Sequence, residues 1–168
     1  MKVLLLNGSP RKNGCTYTAL NVVADALKAE GIDAEVFQAG DPDMENVKAA
    51  AAKLKDSDAL VVGSPVYWAS PSGQIIEFMD RLASVAGKDM LYKPAAAVAS
   101  ARRAGTTATL DVLTKYFSYH QMPVVSSCYW NMVHGNTPEE VMKDEEGVQI
   151  MRVLGTVSYT HLTLPTIA

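Results

Sequence analysis

Five short apolar runs alternate with segments of helical spacing, which predicts an α/β chain: a parallel sheet with helices on both faces. Two further observations support this class. The third run, Ala59-Leu60-Val61-Val62-Gly63, has no polar face, as a central parallel strand covered on both sides requires. The loops rich in small polar and cationic residues follow the first, third and fourth runs, and a 2-1-3-4-5 strand order brings those three together outside the carboxyl ends of the strands. A length of 168 residues, 48% of them hydrophobic, fits one domain with a substantial core.

The elements follow in order. Val3-Leu4-Leu5-Leu6 reads as a buried strand and residues 17–28 as a helix, which Gly31 ends as a C′ glycine. The second strand covers residues 34–38, and residues 39–43 form a turn. A helix over 44–55 has Val47, Ala50, Ala51 and Leu54 on one face and Asp43 as its cap. Residues 64–72 form a loop stiffened by two prolines, leading into a helix over about 73–86. The fourth strand, 94–99, runs into a donor-rich loop over 100–107 and then a helix to about 121. Pro123-Val124-Val125 reads as a short fifth strand and 126–135 as a longer loop. Thr137, Pro138 and Glu140 are a strong helix start, with Thr as N-cap, Pro at N1 and Glu at N3. The final helix should bury Val148, Met151 and Leu154.

The first polar loop, Asn7-Gly8-Ser9-Pro10-Arg11-Lys12-Asn13-Gly14-Cys15-Thr16, organises the chain. A helix start leaves main-chain N–H groups unpaired and favours negative charge. Ser9 and Thr16 add hydroxyl donors, Arg11 adds a planar cation, and Gly8 and Gly14 allow a tight turn. Neither a triphosphate-binding glycine-lysine motif nor a dinucleotide glycine motif is present, and the second strand ends in Gln38 instead of a ribose-binding acid. The loop therefore suits a single terminal phosphate. The plainer reading, an N-capping turn with no ligand, stays open on these residues alone. Tyr67-Trp68 and Arg102-Arg103, each taken alone, read as a cover for the sheet end and a solvated face.

Composition excludes several classes. Net charge is −3 with no basic block, so a nucleic-acid partner is not expected. No apolar run reaches transmembrane length and no signal peptide precedes the first strand, so no membrane association is expected. Cys15 and Cys128 offer neither metal-ligand spacing nor a disulfide framework, which fits a reducing cytoplasm. His120 and His134 stand alone and read as surface or core histidines.

Three motifs in order carry a resemblance: Leu5-Leu6-Asn7-Gly8-Ser9-Pro10-Arg11, then Gly63-Ser64-Pro65-Val66-Tyr67-Trp68 with Phe78-Met79-Asp80-Arg81, then Ser100-Ala101-Arg102-Arg103. They are similar to the flavodoxin-like NADPH-dependent FMN reductase family, in a branch that includes iron–sulfur flavoproteins, over about residues 1–155. The resemblance implies a flavodoxin-like three-layer sandwich with a five-stranded parallel sheet. It implies FMN as cofactor, with NAD(P)H as electron donor. Ser9, Arg11, Asn13, Cys15 and Thr16, with Gly14 beside them, would hold the phosphate. Pro65, Val66, Tyr67 and Trp68 would lie along the isoalloxazine, and Ala101, Arg102, Arg103 and Gly105 would flank its other side. No side-chain acid or base and no metal is implied. A homodimer or homotetramer is expected.

Two departures stand out. Related flavoproteins often carry a cysteine-rich segment after the second strand, whereas residues 38–46 contain none, so the ligands for an iron–sulfur cluster are missing. The chain also changes character at Val157: residues 157–166 have no charge, no helical period and a proline. This stretch matches one reading frame of a transposon-end adapter used in sequencing libraries. The domain is therefore expected to cover 1–156, with 157–168 a non-native tail and His161 without function. A natural extended tail, added as an edge strand, is the alternative.

The leading functional expectation is an FMN-dependent oxidoreductase passing electrons from NAD(P)H to a quinone, another small aromatic acceptor or a redox protein. The alternatives are a flavodoxin-like electron carrier without small-molecule turnover, and a non-redox module using the same loop for a sugar phosphate or nucleotide.

Overall fold

The computed structural model describes residues 1–163, and the expectation for residues 164–168 lies outside them. The alternation of apolar runs and helical spacing produces β1 (Lys2–Asn7), α1 (Cys15–Ala29), β2 (Asp33–Gln38), α2 (Met44–Lys55) and β3 (Ala59–Tyr67). There follow β4 (Ser70–Pro71), α3 (Gly73–Met90), β5 (Ala95–Ala101), α4 (Thr106–Tyr119), β6 (Met132–His134), α5 (Pro138–Val141) and α6 (Glu145–Thr163). The parallel strands take the order β2-β1-β3-β5-β6, with β4 folded back antiparallel on the end of β3. Counted along the parallel strands alone, this is the 2-1-3-4-5 order, with chain order reversing next to β1 as the loops require.

Side-chain alternation along each strand divides the core in two. Leu4, Leu6, Leu60, Val62, Ala97 and Ala99 pack with α2, α3 and α4. Val3, Leu5, Val61, Ala96 and Val98 pack with α1 and α6 on the other face. The alanines of β5 are short, which lets the helices lie close on both sides of that strand. Gly155 serves the same end on α6: a Cβ there would stand 2.5 Å from the Ala26 side chain and 2.9 Å from the Val23 carbonyl.

The expected caps form. Asp43 accepts from the Glu45 N–H at 2.9 Å, Thr137 accepts from the Glu140 N–H at 3.3 Å, and Gly31 sits at φ 77° past α1. Val148, Met151 and Leu154 are buried as anticipated.

Three expectations are corrected. Residues 123–125 do not form the fifth strand: Val124 makes one isolated bridge to Ala95, and the edge is β6, inside the segment read as a loop. Val124 and Val125 have strand propensity, but Met132 and Val133 have the pairing with Ala99 and Ser100, and pairing decides. Residues 64–67 are not loop; β3 continues through Tyr67 and turns back into β4. Finally, the helical period does not stop at Val157. α6 runs to Thr163, with Leu154, Val157, Ser158 and Leu162 at helical spacing. Val157 and Leu162 pack against the α1 side of the core, and the Ser158 hydroxyl donates to the Leu154 carbonyl at 2.7 Å. The side chain of His161 lies outside the described residues.

Candidate functional site

A cleft of about 170 Å³ opens at the carboxyl ends of β1, β3 and β5. Its first wall is the loop after β1, contributing Ser9, Arg11, Cys15 and Thr16; its second is the end of β3, with Pro65, Val66 and Tyr67. Ser100, Ala101 and Arg102 close it from β5, and Gly135 and Asn136 from the loop after β6. The expected convergence of three polar loops is thus present. Asn13, Gly14, Trp68, Arg103 and Gly105, also expected at the site, do not line the cleft. Gly14 and Gly105 are the N-cap residues of α1 and α4, and Trp68 is at the tip of the β3–β4 hairpin.

Local chemistry explains how the first loop is held. Asn7 is fully buried; its amide donates to Gln38 Oε1 at 2.7 Å and reaches the Arg11 and Lys12 carbonyls at 3.4 and 3.3 Å. Its Oδ1 accepts from the Ser9 N–H at 3.2 Å, and Gln38 Nε2 donates to the Ser9 carbonyl at 2.6 Å. One buried amide and one half-buried amide therefore fix the loop from within. Gly40 completes the support by close approach: a Cβ there would lie 2.0 Å from the Ser9 carbonyl oxygen. From β3, the Gly63 carbonyl accepts from the Gly8 N–H at 2.8 Å, and from the N-cap of α3, the Ser72 hydroxyl donates to the Gly8 carbonyl at 2.9 Å.

No side chain caps α1 at Gly14, so its first turn opens on the cleft with unpaired donors. The Ser9 hydroxyl accepts from the Arg11 N–H at 3.1 Å and keeps its own proton to give. Thr16 and Ser100, both buried, share a 2.7 Å hydroxyl–hydroxyl bond that joins the first and third walls and leaves one proton of the pair uncommitted. The Cys15 thiol lies 3.6 Å from the Gly135 carbonyl, and burial pushes its pKa up, so it stays neutral beside an anion. This donor set fits a phosphate, which needs hydroxyl, N–H and guanidinium donors and no nearby thiolate. A volume of about 170 Å³ is below the ~300–1,000 Å³ typical of a whole organic ligand, so the cleft takes one end of the ligand.

The rim is aromatic. Tyr67 is exposed and Trp68 is fully exposed at 101%. Trp68 and Ala69 both adopt positive φ, 54° and 56°, as the central residues of a tight hairpin do. The hairpin tip rests on the start of α4, where a Cβ at Gly105 would meet Ala69 Cα at 2.7 Å. A larger hollow of about 690 Å³ lies between α3 and α4, lined by Asp80, Tyr116, Tyr119 and His120. None of the three loops borders it, and no helix starts in it, so the smaller cleft is the candidate. Among the described residues no group of three or more His, Cys, Asp or Glu is placed to hold a metal ion.

The sequence does not point to Ser100, Gly135 and Asn136 as site residues, or to Asn7, Gln38 and Ser72 as its supports. Ser100 had a signal, as the first residue of the donor-rich third loop. Gly135 and Asn136 had none, because they reach the cleft only through the unforeseen β6.

Uncapped helix start, neutral hydroxyl donors and the arginines Arg11 and Arg102 at the strand-order switch define an anion-binding doubly wound α/β protein. The chain belongs to the NADPH-dependent FMN reductase family, whose profile matches residues 1–137. It is therefore an oxidoreductase with FMN as cofactor and NAD(P)H as donor. An iron-sulfur flavoprotein of Methanocaldococcus jannaschii is 28% identical over 92% of this chain and 94% of its own length. An NADPH azoreductase of a Bacillus species is 30% identical over 60% of this chain and 59% of its own. Among solved structures, the NAD(P)H:(acceptor) oxidoreductase FerB of Paracoccus denitrificans superposes with a TM-score of 0.76 at 18% identity, over 96% of both chains. No helix among the described residues is long and apolar enough to cross a membrane.

Proposed function

We propose that this enzyme passes electrons from NAD(P)H to a quinone or another small flat aromatic acceptor, with both substrates using one mouth beside Tyr67 and Trp68. The observation that carries the reading is the pairing of a phosphate cradle with a fully exposed indole at the same strand ends. A redox protein as acceptor belongs to the same proposal. FMN, when bound, supplies the hydride and electron chemistry.

The residues have separate tasks. Ser9, Arg11 and the first turn of α1, with Cys15 and Thr16, hold the phosphate. Asn13 and Gly14 shape the entry of that loop, and the main chain at Pro65, Val66, Ala101 and Gly105 borders the ring. Tyr67 and Trp68 offer rigid amphipathic faces against which an aromatic ring stacks at low entropic cost. Positioning, not proton transfer, governs the rate in such a site.

One mouth for two substrates means that the oxidised nicotinamide leaves before the acceptor enters. The expected outcome is ping-pong kinetics, seen as parallel double-reciprocal lines, with Trp68→Ala lowering kcat/KM for bulky aromatic acceptors while FMN stays bound. Intersecting lines would overturn the shared mouth; an unaffected Trp68→Ala variant would move the acceptor towards residues 126–135.

The same proposal includes cytoplasmic action and assembly as a homodimer or homotetramer. Val85 and Tyr119, apolar and exposed on α3 and α4, favour assembly, and sedimentation of the purified protein measures it.

A further inference from the structure

Four cations stand around the cleft: Arg11 and Lys12 in the loop after β1, Arg102 and Arg103 in the loop after β5. Residues 7–16, 64–72 and 101–107 contain no acid, although the chain as a whole has a net charge of −3. The acids that act on this region are Glu139 and Glu140 of α5, on the Cys15 side, and Glu140 is engaged by the Asn136 N–H at 2.7 Å. Arg11 has a task in the phosphate cradle. Arg102 and Arg103, which the family resemblance sets beside the isoalloxazine, have no anion there for their guanidinium charges.

Both side chains are exposed, and among the described residues neither makes an ion pair or a side-chain hydrogen bond. Their backbone, by contrast, is fixed. The Gly135 N–H donates to the Ala101 carbonyl at 3.0 Å, and His134 Nε2–H donates to the Arg103 carbonyl at 3.0 Å. Asp144 holds His134 in turn: it accepts from the His134 main-chain N–H at 2.7 Å and stands 3.6 Å from Nδ1. Two guanidinium groups thus project from a pinned loop with no ion-pair partner among the described residues. Arg102 lines the cleft itself, so the pair meets a ligand that is longer than the cleft is deep. Planar guanidinium forks bind phosphate in two parallel bonds, and a fixed backbone reduces the entropy lost in doing so.

We propose that Arg102 and Arg103 bind the 2′-phosphate of NADPH and so make the enzyme prefer NADPH to NADH; this rests on the donor reading above. The two donors differ by that phosphate alone. Their shared pyrophosphate is the other anion the pair could meet, and comparison of the two donors separates the cases.

The test uses the FMN-loaded protein, with flavin content normalised by absorbance. Calorimetry compares adenosine 2′,5′-bisphosphate with adenosine 5′-monophosphate, and steady-state rates compare NADPH with NADH against a benzoquinone. The wild type should bind the bisphosphate about tenfold more tightly or better. Arg102→Ala and Arg103→Ala should each reduce that ratio roughly fivefold, a figure lowered for their exposure, and the double variant should abolish it. Arg102→Lys should keep part of it. The NADPH-to-NADH ratio of kcat/KM should fall in parallel, mainly through KM. Equal binding of the two nucleotides by the wild type, or full discrimination by the double variant, would overturn the proposal. So would equal weakening of both donors, which points to the pyrophosphate. Absence of any NAD(P)H oxidation by the wild type would overturn the donor reading, while the calorimetric ratio decides the arginine seat independently.

Discussion

At the scale of single residues, Arg11 and Asn7 do different work. Arg11 is exposed and contributes charge to the cradle. Arg11→Ala should weaken FMN about tenfold to a hundredfold while leaving riboflavin nearly unaffected, because the lost charge-assisted bonds go to phosphate. Titration of both flavins by fluorescence measures the difference. Asn7 contributes no charge but is fully buried, and its loss leaves Gln38 Oε1 and the Ser9 N–H unpaired. Asn7→Ala should cost about 2–4 kcal/mol in urea unfolding. Gln38→Ala should cost a similar amount, and the double variant should fall short of the sum by about 1 kcal/mol, because both amides serve one network. The contrast also explains what the sequence disclosed. Ser9, Arg11 and Thr16 are legible because their chemistry is local to a helix start. Asn7 and Gln38 stand 31 positions apart and become partners only when β1 pairs with β2. The sequence presents Gln38 only as the place where a ribose-binding acid is lacking, and its amide bonds leave no trace in spacing.

At the scale of elements, legibility follows length. Strands β1, β2, β3 and β5 and helices α1 to α4 each span six or more residues, the helices with a clear period and the central strands as apolar runs, and the sequence places all of them, with β3 and α3 ending later than it indicates. β6 has three residues, one of them turned to the core, and no window that short carries a period. The end of α6 is hidden for another reason: residues 157–166 carry no charge and include Pro165, and these features mask the helical spacing of Leu154, Val157, Ser158 and Leu162. We propose that residues 157–168 lie outside the functional domain even so. Ser158 and Leu162 border Val3, Ala59 and Pro94, at the amino ends of the strands and thus opposite the cleft. Deleting 157–168 should lower the unfolding free energy by about 1–2 kcal/mol, from lost burial of Val157 and Leu162, and leave FMN affinity unchanged. Thermal unfolding and flavin titration on the truncated chain give both numbers. A weakened flavin would bring the tail back into the functional domain.

At the scale of the molecule, the two faces of the sheet are joined differently. α1 and α6 pack closely, with Gly155 against Ala26, whereas α3 and α4 diverge around the hollow at Tyr116 and His120. The phenol of Tyr116 spans that gap by donating to Asp80 Oδ1 at 2.5 Å. Burial first, and this bond second, push the Tyr116 pKa well above its ordinary value. A raised value in the folded state means that the neutral phenol is favoured by folding. Its contribution is full below the unfolded value of about 10 and is lost as pH rises from there through the folded value. Tm measured from pH 8 to 11 should therefore fall less steeply for Tyr116→Phe than for the wild type, with the variant the less stable of the two at pH 8. Identical slopes would show that the phenol does not tie the helices together.

The exposed hairpin tip also makes the protein its own optical reporter. The chain has two tryptophans, and one of them, Trp68, stands wholly in water at the rim where the substrates arrive. An indole in water emits at long wavelength, and a flat electron acceptor stacked on it quenches that emission. Trp130 lies away from the cleft, on the segment before β6, and replacing it with Phe leaves a chain whose whole tryptophan signal comes from the tip. Occupancy of the mouth then becomes a fluorescence titration that needs no turnover, no coloured product and no label.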